Sequence, residues 1–263
     1  MIRLAVLGHP VGHSRSPAMH NAALAALGLG SEWRYEAIKV APGGFEARVR
    51  AMPGEGFAGA NVTVPHKGAA LALADELSGV AREVGAANTL IFAGGEIRAE
   101  NTDADGLLNA LPASPAGRRA LVLGAGGAGR AAVWALVREG AEVEVWNRTE
   151  LRSRHLCDEL GGRPASDPAQ GDYELIVNTT AVGLRGEDPF EQLPLDPAGF
   201  APGQTVVDMV YGVEQTPLLA AAGKAGASVV DGIEVLVQQG ALSLRLWTGF
   251  EAPVEVMRSA ARA

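Results

Sequence analysis

The 263-residue chain has one cysteine, Cys157. No intramolecular disulfide is possible, which suits a reducing compartment, and a cytoplasmic location is expected. No apolar run reaches the roughly 18 residues that a membrane span requires. The opening stretch, MIRLAVLGHP, lacks the apolar core of a signal peptide and runs at once into a strand-like segment. Positive charge is scarce: 22 Lys and Arg face 30 Asp and Glu, for a net charge of −8. That balance argues against non-specific binding to nucleic acid or to an anionic membrane surface. A local pocket can still oppose the global charge, so an anionic small molecule fits. Among the basic residues only Lys39, Lys67 and Lys224 are lysine. His9, His13 and His20 form no metal-ligand spacing, so they read as structural and no metal is expected. Repeats and low-complexity tracts are missing.

The chain is long enough for one large domain or two ordinary ones, and 48% hydrophobic residues supply a core. In the first half RLAVLG, EWRYEAIKV and GANVTVP read as strands. SPAMHNAALAAL, GGFEARVRAM and KGAALALADEL read as helices, the first with a Ser-Pro start suited to an N-cap and first helical position. NTLIF and EIRAEN, joined by AGGE, read as a hairpin. An αβ unit with a mixed sheet is expected. The second half opens at a polar, Pro-containing linker, LPASPAGRR. There ALVLG, AEVEVW, ELIVNTT, QTVVDMV and ASVVDG alternate with helix-compatible segments, the pattern of a parallel, doubly wound sheet. EVLVQQGALSLRLWTGF reads as one long helix.

Gly124, Gly126 and Gly129 fit G-x-G-x-x-G between a strand and a helix. The first glycine makes the turn and the second lets the backbone approach a pyrophosphate. The third lets helix and strand pack closely, and the helix N-terminus faces the phosphates. A tight turn without ligand is the plainer alternative. The next strand ends in Asn147-Arg148-Thr149, with Arg152 beyond, where an NAD-specific site usually carries a carboxylate. A guanidinium there suits a 2′-phosphate, so NADP is expected, although Glu150 stands nearby.

Lys67 follows the β-branched run NVTV and a Pro-His pair. An ammonium releases a proton where a guanidinium does not, so a lysine in an arginine-rich chain is a candidate for chemistry. The alternative is a solvated lysine at a helix start. Ser14 and Ser16 stand in GHPVGHSRSPAMHN; Ser16 could cap a helix, whereas Ser14 is free to reach a ligand. NTDADG holds Asn101, Thr102, Asp103 and Asp105, with Thr102 or Asp103 as a helix N-cap. Asn88 starts a strand.

The motifs GHPVGHSRSPAMHN, GANVTVPHK, GAANTL, ENTDADG, GAGGAGRA, VWNRT, VNTTAVG, DMVYGVEQTPLL and LVQQGA, in this order, resemble the shikimate dehydrogenase family over essentially the whole chain. Two departures are Thr179, where alanine is common, and the His-Lys pair after Pro65. The resemblance implies two domains with a cleft between them. Residues 1–101, with a helix 236–263 returning to them, would bind substrate, and 102–235 would form a Rossmann domain for NADP. It implies that Ser14 and Ser16 hold a substrate carboxylate and that Thr63, Asn88 and Gln239 bind ring hydroxyls, with Tyr211 beside them and Asn61 nearby. Gln238 rivals Gln239, and the following Leu246-Trp247 pair favours Gln239. Lys67 and Asp103 would be the catalytic pair. Gly126, Gly127 and Ala128 would line the pyrophosphate, while Asn147, Arg148, Thr149 and Arg152 would take the adenosine phosphate. Met209 and Gly232 would contact the nicotinamide side. The implied activity is reversible, NADP-dependent reduction of 3-dehydroshikimate to shikimate in aromatic amino acid biosynthesis. A quinate/shikimate dehydrogenase of broader specificity and a non-catalytic NADP-binding regulatory module are the alternatives. Oligomeric state is left open, a homodimer included.

Overall fold

The computed structural model describes residues 1–212 and 214–263; Val213, within the DMVYGVEQTPLL motif, lies outside the described residues. The chain divides into two compact units, Met1–Gly106 with Leu236–Ala263, and Leu107–Val235.

The first unit contains β1 (Ile2–Gly8), α1 (Ser16–Ala26), β2 (Trp33–Lys39), α2 (Phe45–Ala51), β3 (Phe57–Val62), α3 (Lys67–Leu73), β4 (Glu76–Leu77), α4 (Gly79–Val84), β5 (Thr89–Ala93) and β6 (Glu96–Glu100). The six strands form one mixed sheet in the order β2-β1-β3-β5-β6-β4. β1 pairs in parallel with β2 and β3, whereas β5 is antiparallel to both β3 and β6. Ala5, Leu7, Ala60, Val62 and Leu90 point into one core with Phe45 and Val49 of α2. The expected change of unit at 101/102 falls later, after Gly106. Asn101 and Thr102 are hydrogen-bonded to Ala86 and Asn88 of the first unit.

α5 (Asp103–Ala110) leads into the second unit. There follow β7 (Arg119–Leu123), α6 (Gly127–Arg138), β8 (Glu142–Trp146), α7 (Glu150–Leu160), β9 (Arg163–Pro164), β10 (Leu175–Asn178), α8 (Pro189–Gln192), β11 (Thr205–Asp208), α9 (Pro217–Lys224) and β12 (Ser228–Val230). All six strands are parallel, in the order β12-β11-β10-β7-β8-β9. This is a doubly wound sheet covered on both faces. In β7 Ala120 and Val122 enter one core while Leu121 and Leu123 enter the other. The strand order reverses between β7 and β10, where such folds bind ligands.

α10 (Gly232–Thr248) and α11 (Val254–Arg262) end the chain. The single C-terminal helix expected over 236–263 is therefore two, separated where Gly249 takes φ +76° and Pro253 follows. α3 also stops earlier than expected. Ala74 turns extended, and Asp75 exchanges backbone and side-chain hydrogen bonds of 2.8 Å with Ile97, so Glu76–Leu77 joins the sheet as β4. Among the described residues no helix is long and apolar enough to cross a membrane, and no group of three or more His, Cys, Asp or Glu could hold a metal ion.

Candidate active site

Four strand ends of the first unit meet at one edge of its sheet. β1 and β3 run parallel and end there, β6 ends there, and antiparallel β5 begins there. The segments after β1, after β3, before β5 and after β6 carry Ser14 and Ser16, Thr63 and Lys67, Asn88, and Asp103. Residues distant in sequence are thus brought to one edge by the mixed topology.

Lys67 opens α3 and Asp103 opens α5, and Lys67 Nζ donates to Asp103 Oδ2 at 2.6 Å. Each side chain is 13% exposed, so the pair is nearly dry but still reachable. His66 fixes the approach to α3. It is buried, hydrogen-bonded through Nε2 to the Val40 carbonyl at 2.8 Å and stacked on Phe45. Asn101 caps α5: its Oδ1 accepts from the backbone N–H groups of Asp103 and Ala104 at 3.1 and 3.3 Å. Neither Thr102 nor Asp103, the expected caps, takes that role, because the Thr102 hydroxyl turns inward.

Asn88 joins the pair to its surroundings. Its Oδ1 accepts from Thr102 N at 2.7 Å, which fixes the orientation of the amide, since a backbone N–H can only donate. Nδ2 therefore faces Asp103 Oδ1 at 2.9 Å, Thr102 Oγ1 at 2.9 Å and Gln239 Oε1 at 3.1 Å. Two hydrogens face three acceptors, so one of the latter is always left for another donor. Gln239 comes from α10, and its Nε2 donates to the Leu236 carbonyl at 2.7 Å. α5 meets α10 at Gly106, where a Cβ would lie 2.6 Å from that of Gln239.

Ser16 does not take its expected capping role; Arg15 stands at the N-cap of α1 without a side-chain cap hydrogen bond. Ser14 Oγ accepts from Ser16 N at 3.2 Å, while the Ser16 hydroxyl, the expected cap, makes no hydrogen bond among the described residues. The Thr63 hydroxyl makes none either; its methyl group packs where a Cβ on Gly8 would sit, 2.5 Å away. Asn61 differs from expectation. Its Oδ1 accepts from Tyr35 Oη at 2.7 Å, and Nδ2 donates to Thr89 Oγ1 at 3.0 Å and Ser243 Oγ at 2.9 Å. It is buried and spent on protein partners. The reason is the two-residue period of β3: Asn61 shares a face with Gly59, and α10 covers that face through Ser243 and Trp247. Tyr211, grouped with these residues by sequence, belongs to the second unit.

In the second unit the glycine loop follows β7 at the order reversal. Gly124 takes φ +107°, and a Cβ on Gly129 would stand 2.2 Å from the Gly124 carbonyl oxygen. Around Gly126, by contrast, a Cβ would meet nothing within 4 Å, leaving space for a ligand against the backbone at the start of α6. Gly127 and Ala128 form the first turn of α6. Thr179, the departure from the common alanine, donates its hydroxyl to the Leu123 carbonyl at 2.8 Å and braces the loop. Asn147 bridges the loop to the end of β8: Oδ1 accepts from Ala125 N at 3.2 Å and Nδ2 donates to the Thr149 carbonyl at 2.9 Å. Arg148 and Arg152 are exposed and form no ion pair among the described residues. Neighbouring Arg130 is paired with Glu159 and Arg154 with Glu150. Glu150 is thus committed: hydrogen bonds from Arg154 and Ser166 hold its carboxyl below the usual range. Two unpaired guanidiniums and a neutralised carboxylate fit a phosphorylated ribose. Met209 and Gly232 adjoin, since a Cβ on Gly232 would lie 2.6 Å from the Met209 carbonyl oxygen. Behind Met209, Asp208 accepts from Asn178 and Thr216, and burial raises its pKa.

A glycine-loop nucleotide unit, together with a unit presenting a lysine-carboxylate pair among neutral hydrogen-bonding groups, makes a dinucleotide-dependent oxidoreductase of small polar substrates. Three family models match: the shikimate dehydrogenase substrate binding domain over residues 6–90, shikimate/quinate 5-dehydrogenase over 109–179, and the shikimate 5'-dehydrogenase C-terminal domain over 232–262. The chain belongs to the shikimate dehydrogenase family. It is 45% identical to the NADP(+) shikimate dehydrogenase of Thermus thermophilus, covering 100% of this chain and 98% of the relative. The corresponding Moorella thermoacetica enzyme is 42% identical, covering 97% and 90%. A crystal structure of shikimate 5-dehydrogenase from Thermus thermophilus with NADP(H) and shikimate superimposes with a TM-score of 0.89 at 44% identity, covering 100% of this chain and 99% of that one.

Proposed function

We propose that the protein reduces 3-dehydroshikimate to shikimate with NADPH, reversibly, as a step of aromatic amino acid biosynthesis. The Lys67–Asp103 pair, 2.6 Å apart and held by Asn88, carries this reading. Bound NADPH supplies the hydride. Lys67 donates a proton to the oxygen that becomes negative as the ketone is reduced, and Asp103 aims the ammonium. The Ser14 and Ser16 hydroxyls bind the substrate carboxylate. Thr63, Asn88 and Gln239 bind ring hydroxyls; Asn61 supports this set through the protein and does not contact substrate. The loop from Gly124 to Gly129 takes the pyrophosphate. Asn147 and Thr149 shape the ribose end, Arg148 and Arg152 take the 2′-phosphate, and Met209 and Gly232 border the nicotinamide.

The test is NADPH consumption with 3-dehydroshikimate, repeated with NADH. Turnover with NADPH is expected. Binding of NADPH without turnover of shikimate or quinate would leave a non-catalytic module instead, and equal use of quinate would mark the broader enzyme. A cytoplasmic location belongs to the same reading, in keeping with the one buried, unpaired cysteine. Sedimentation of the purified protein distinguishes a homodimer from a monomer.

A further inference from the structure

Ser243 stands four residues after Gln239 on the same face of α10, and it is fully buried. Four polar partners converge on its hydroxyl. Asn61 Nδ2 lies at 2.9 Å, Thr89 Oγ1 at 2.9 Å, Thr102 Oγ1 at 3.0 Å and the Gln239 carbonyl oxygen at 3.0 Å. A hydroxyl has one hydrogen and two lone pairs. The carbonyl can only accept and the amide can only donate. If the Ser243 hydrogen goes to Gln239, one lone pair receives Asn61 and the other receives a threonine hydroxyl.

Asn61 Nδ2 gives its second hydrogen to Thr89. Two arrangements then give every hydrogen an acceptor. In one, Thr102 donates to Ser243 and Thr89 donates to Asn88 Oδ1 at 3.2 Å; in the other, Thr89 donates to Ser243 and Thr102 donates to Asn88 Oδ1 at 3.3 Å. In both, Ser243 takes the hydrogen of one threonine and so directs that of the other to Asn88, and Thr102 keeps a lone pair for Asn88 Nδ2 at 2.9 Å. Either way the Asn88 amide, Asp103 and Lys67 are aimed from behind by a static group.

We infer that Ser243 is a positioning residue for the reaction, fixing Thr102 and Asn88 and through them the Lys67–Asp103 pair. This rests on the catalytic role proposed for that pair. A purely structural serine would affect melting alone. A positioning serine affects the pair.

The test compares the wild type with Ser243→Ala, Thr102→Val and the double variant. Because the chain has three lysines, isotope-labelled lysine gives three resolvable signals, and Lys67→Arg assigns one of them. The Ser243→Ala enzyme should lose kcat on the order of tenfold, as expected for small misplacement of a reacting group, with KM little changed. The Lys67 signal should move while those of Lys39 and Lys224 stay. Losses in the double variant should be less than additive, because both changes cut one path. An unchanged Lys67 signal together with unchanged kcat, or strictly additive losses, would overturn the inference. If the wild type turns over no substrate, the proposed function fails, and the Lys67 signal alone still decides the role of Ser243.

Discussion

His20 offers a quantitative test of how the first unit is built. Its ring is fully buried, stacked on Tyr35 with centroids 4.2 Å apart, and neither ring nitrogen has a hydrogen-bond partner among the described residues. Desolvation lowers its pKa from 6.5 to about 3. The folded pKa lies below the unfolded one, so the unfolded chain takes up the proton first. The stability linked to His20 is full above the unfolded value and is lost as pH falls towards the folded value. Between about pH 8 and about pH 5 the loss is about 1.4 kcal/mol for each pH unit below 6.5, or about 2 kcal/mol.

Replacement His20→Leu keeps a similar volume and removes the titration. At pH 8 it also removes two unsatisfied polar atoms, each costing about 1–3 kcal/mol, against a lost stacking contact of about 0.5–1.5 kcal/mol. The variant should therefore be at least as stable as wild type there. Urea unfolding at both pH values measures the difference, with Trp247, whose ring centroid is 5.8 Å from that of His20, as the fluorescent reporter. Other titrating groups are common to both proteins and cancel. Wild type and variant losing equal stability between the two pH values would refute the reasoning.

Three further outcomes are expected. Lys67→Ala should lower kcat by roughly 10²–10⁴-fold with less effect on KM, and Lys67→Arg should be nearly as inactive because arginine retains its proton; near-normal kcat in the arginine variant would leave Lys67 a charge-positioning role only. Arg148→Ala should weaken NADPH binding by about 1.5–3 kcal/mol in titration calorimetry and leave NADH binding nearly unchanged; equal losses would show that Arg148 does not read the 2′-phosphate. Gly129→Ala should abolish NADPH binding and lower the melting temperature, because its Cβ would press within 2.2 Å of a backbone carbonyl; an unaltered affinity would mean that the loop can shift at little cost.

Much of this fold was legible because its signals are local. Alternation and β-branched runs marked β3, β5, β6 and the parallel strands, and the glycine loop lay where strand, turn and helix periods meet. Local signals failed where long-range pairing overrode them. Glu76–Leu77 has helical neighbours, yet Asp75 ties it to Ile97, and the β4 pairing wins. The caps failed for a similar reason. Ser16, Thr102 and Asp103 are all fit to cap, yet α1 has no side-chain cap and three-dimensional placement selects Asn101 for α5. Ser243 gave no signal beyond its helical spacing from Gln239.

The same limit separates residues that hold the site from residues left to bind. Asn61 and Thr63 are two positions apart on one strand face, and both are neutral hydrogen-bonding types. Asn61 lies within the sheet, so α10 and Tyr35 consume both ends of its amide. Thr63 stands one step past the last residue of β3, and no described group meets its hydroxyl. Arg148 and Arg154 differ in the same manner: Arg154 is tied to Glu150 a helical turn away, whereas Arg148 precedes the helix and pairs with no carboxylate among the described residues. Free polar groups here stand just outside a regular element, as Thr63 and Arg148 do, or in its first turn, as Ser16 and Arg152 do, where the backbone pattern supplies fewer neighbours. An exposed, unpaired cation or an unpartnered hydroxyl costs nothing while water reaches it, and it gains a partner only when a ligand displaces that water. On this argument the groups poised for ligand are Ser16, Thr63, Arg148 and Arg152, while Asn61, Thr89, Thr102 and Ser243 hold the frame against which Lys67 and Asp103 are set.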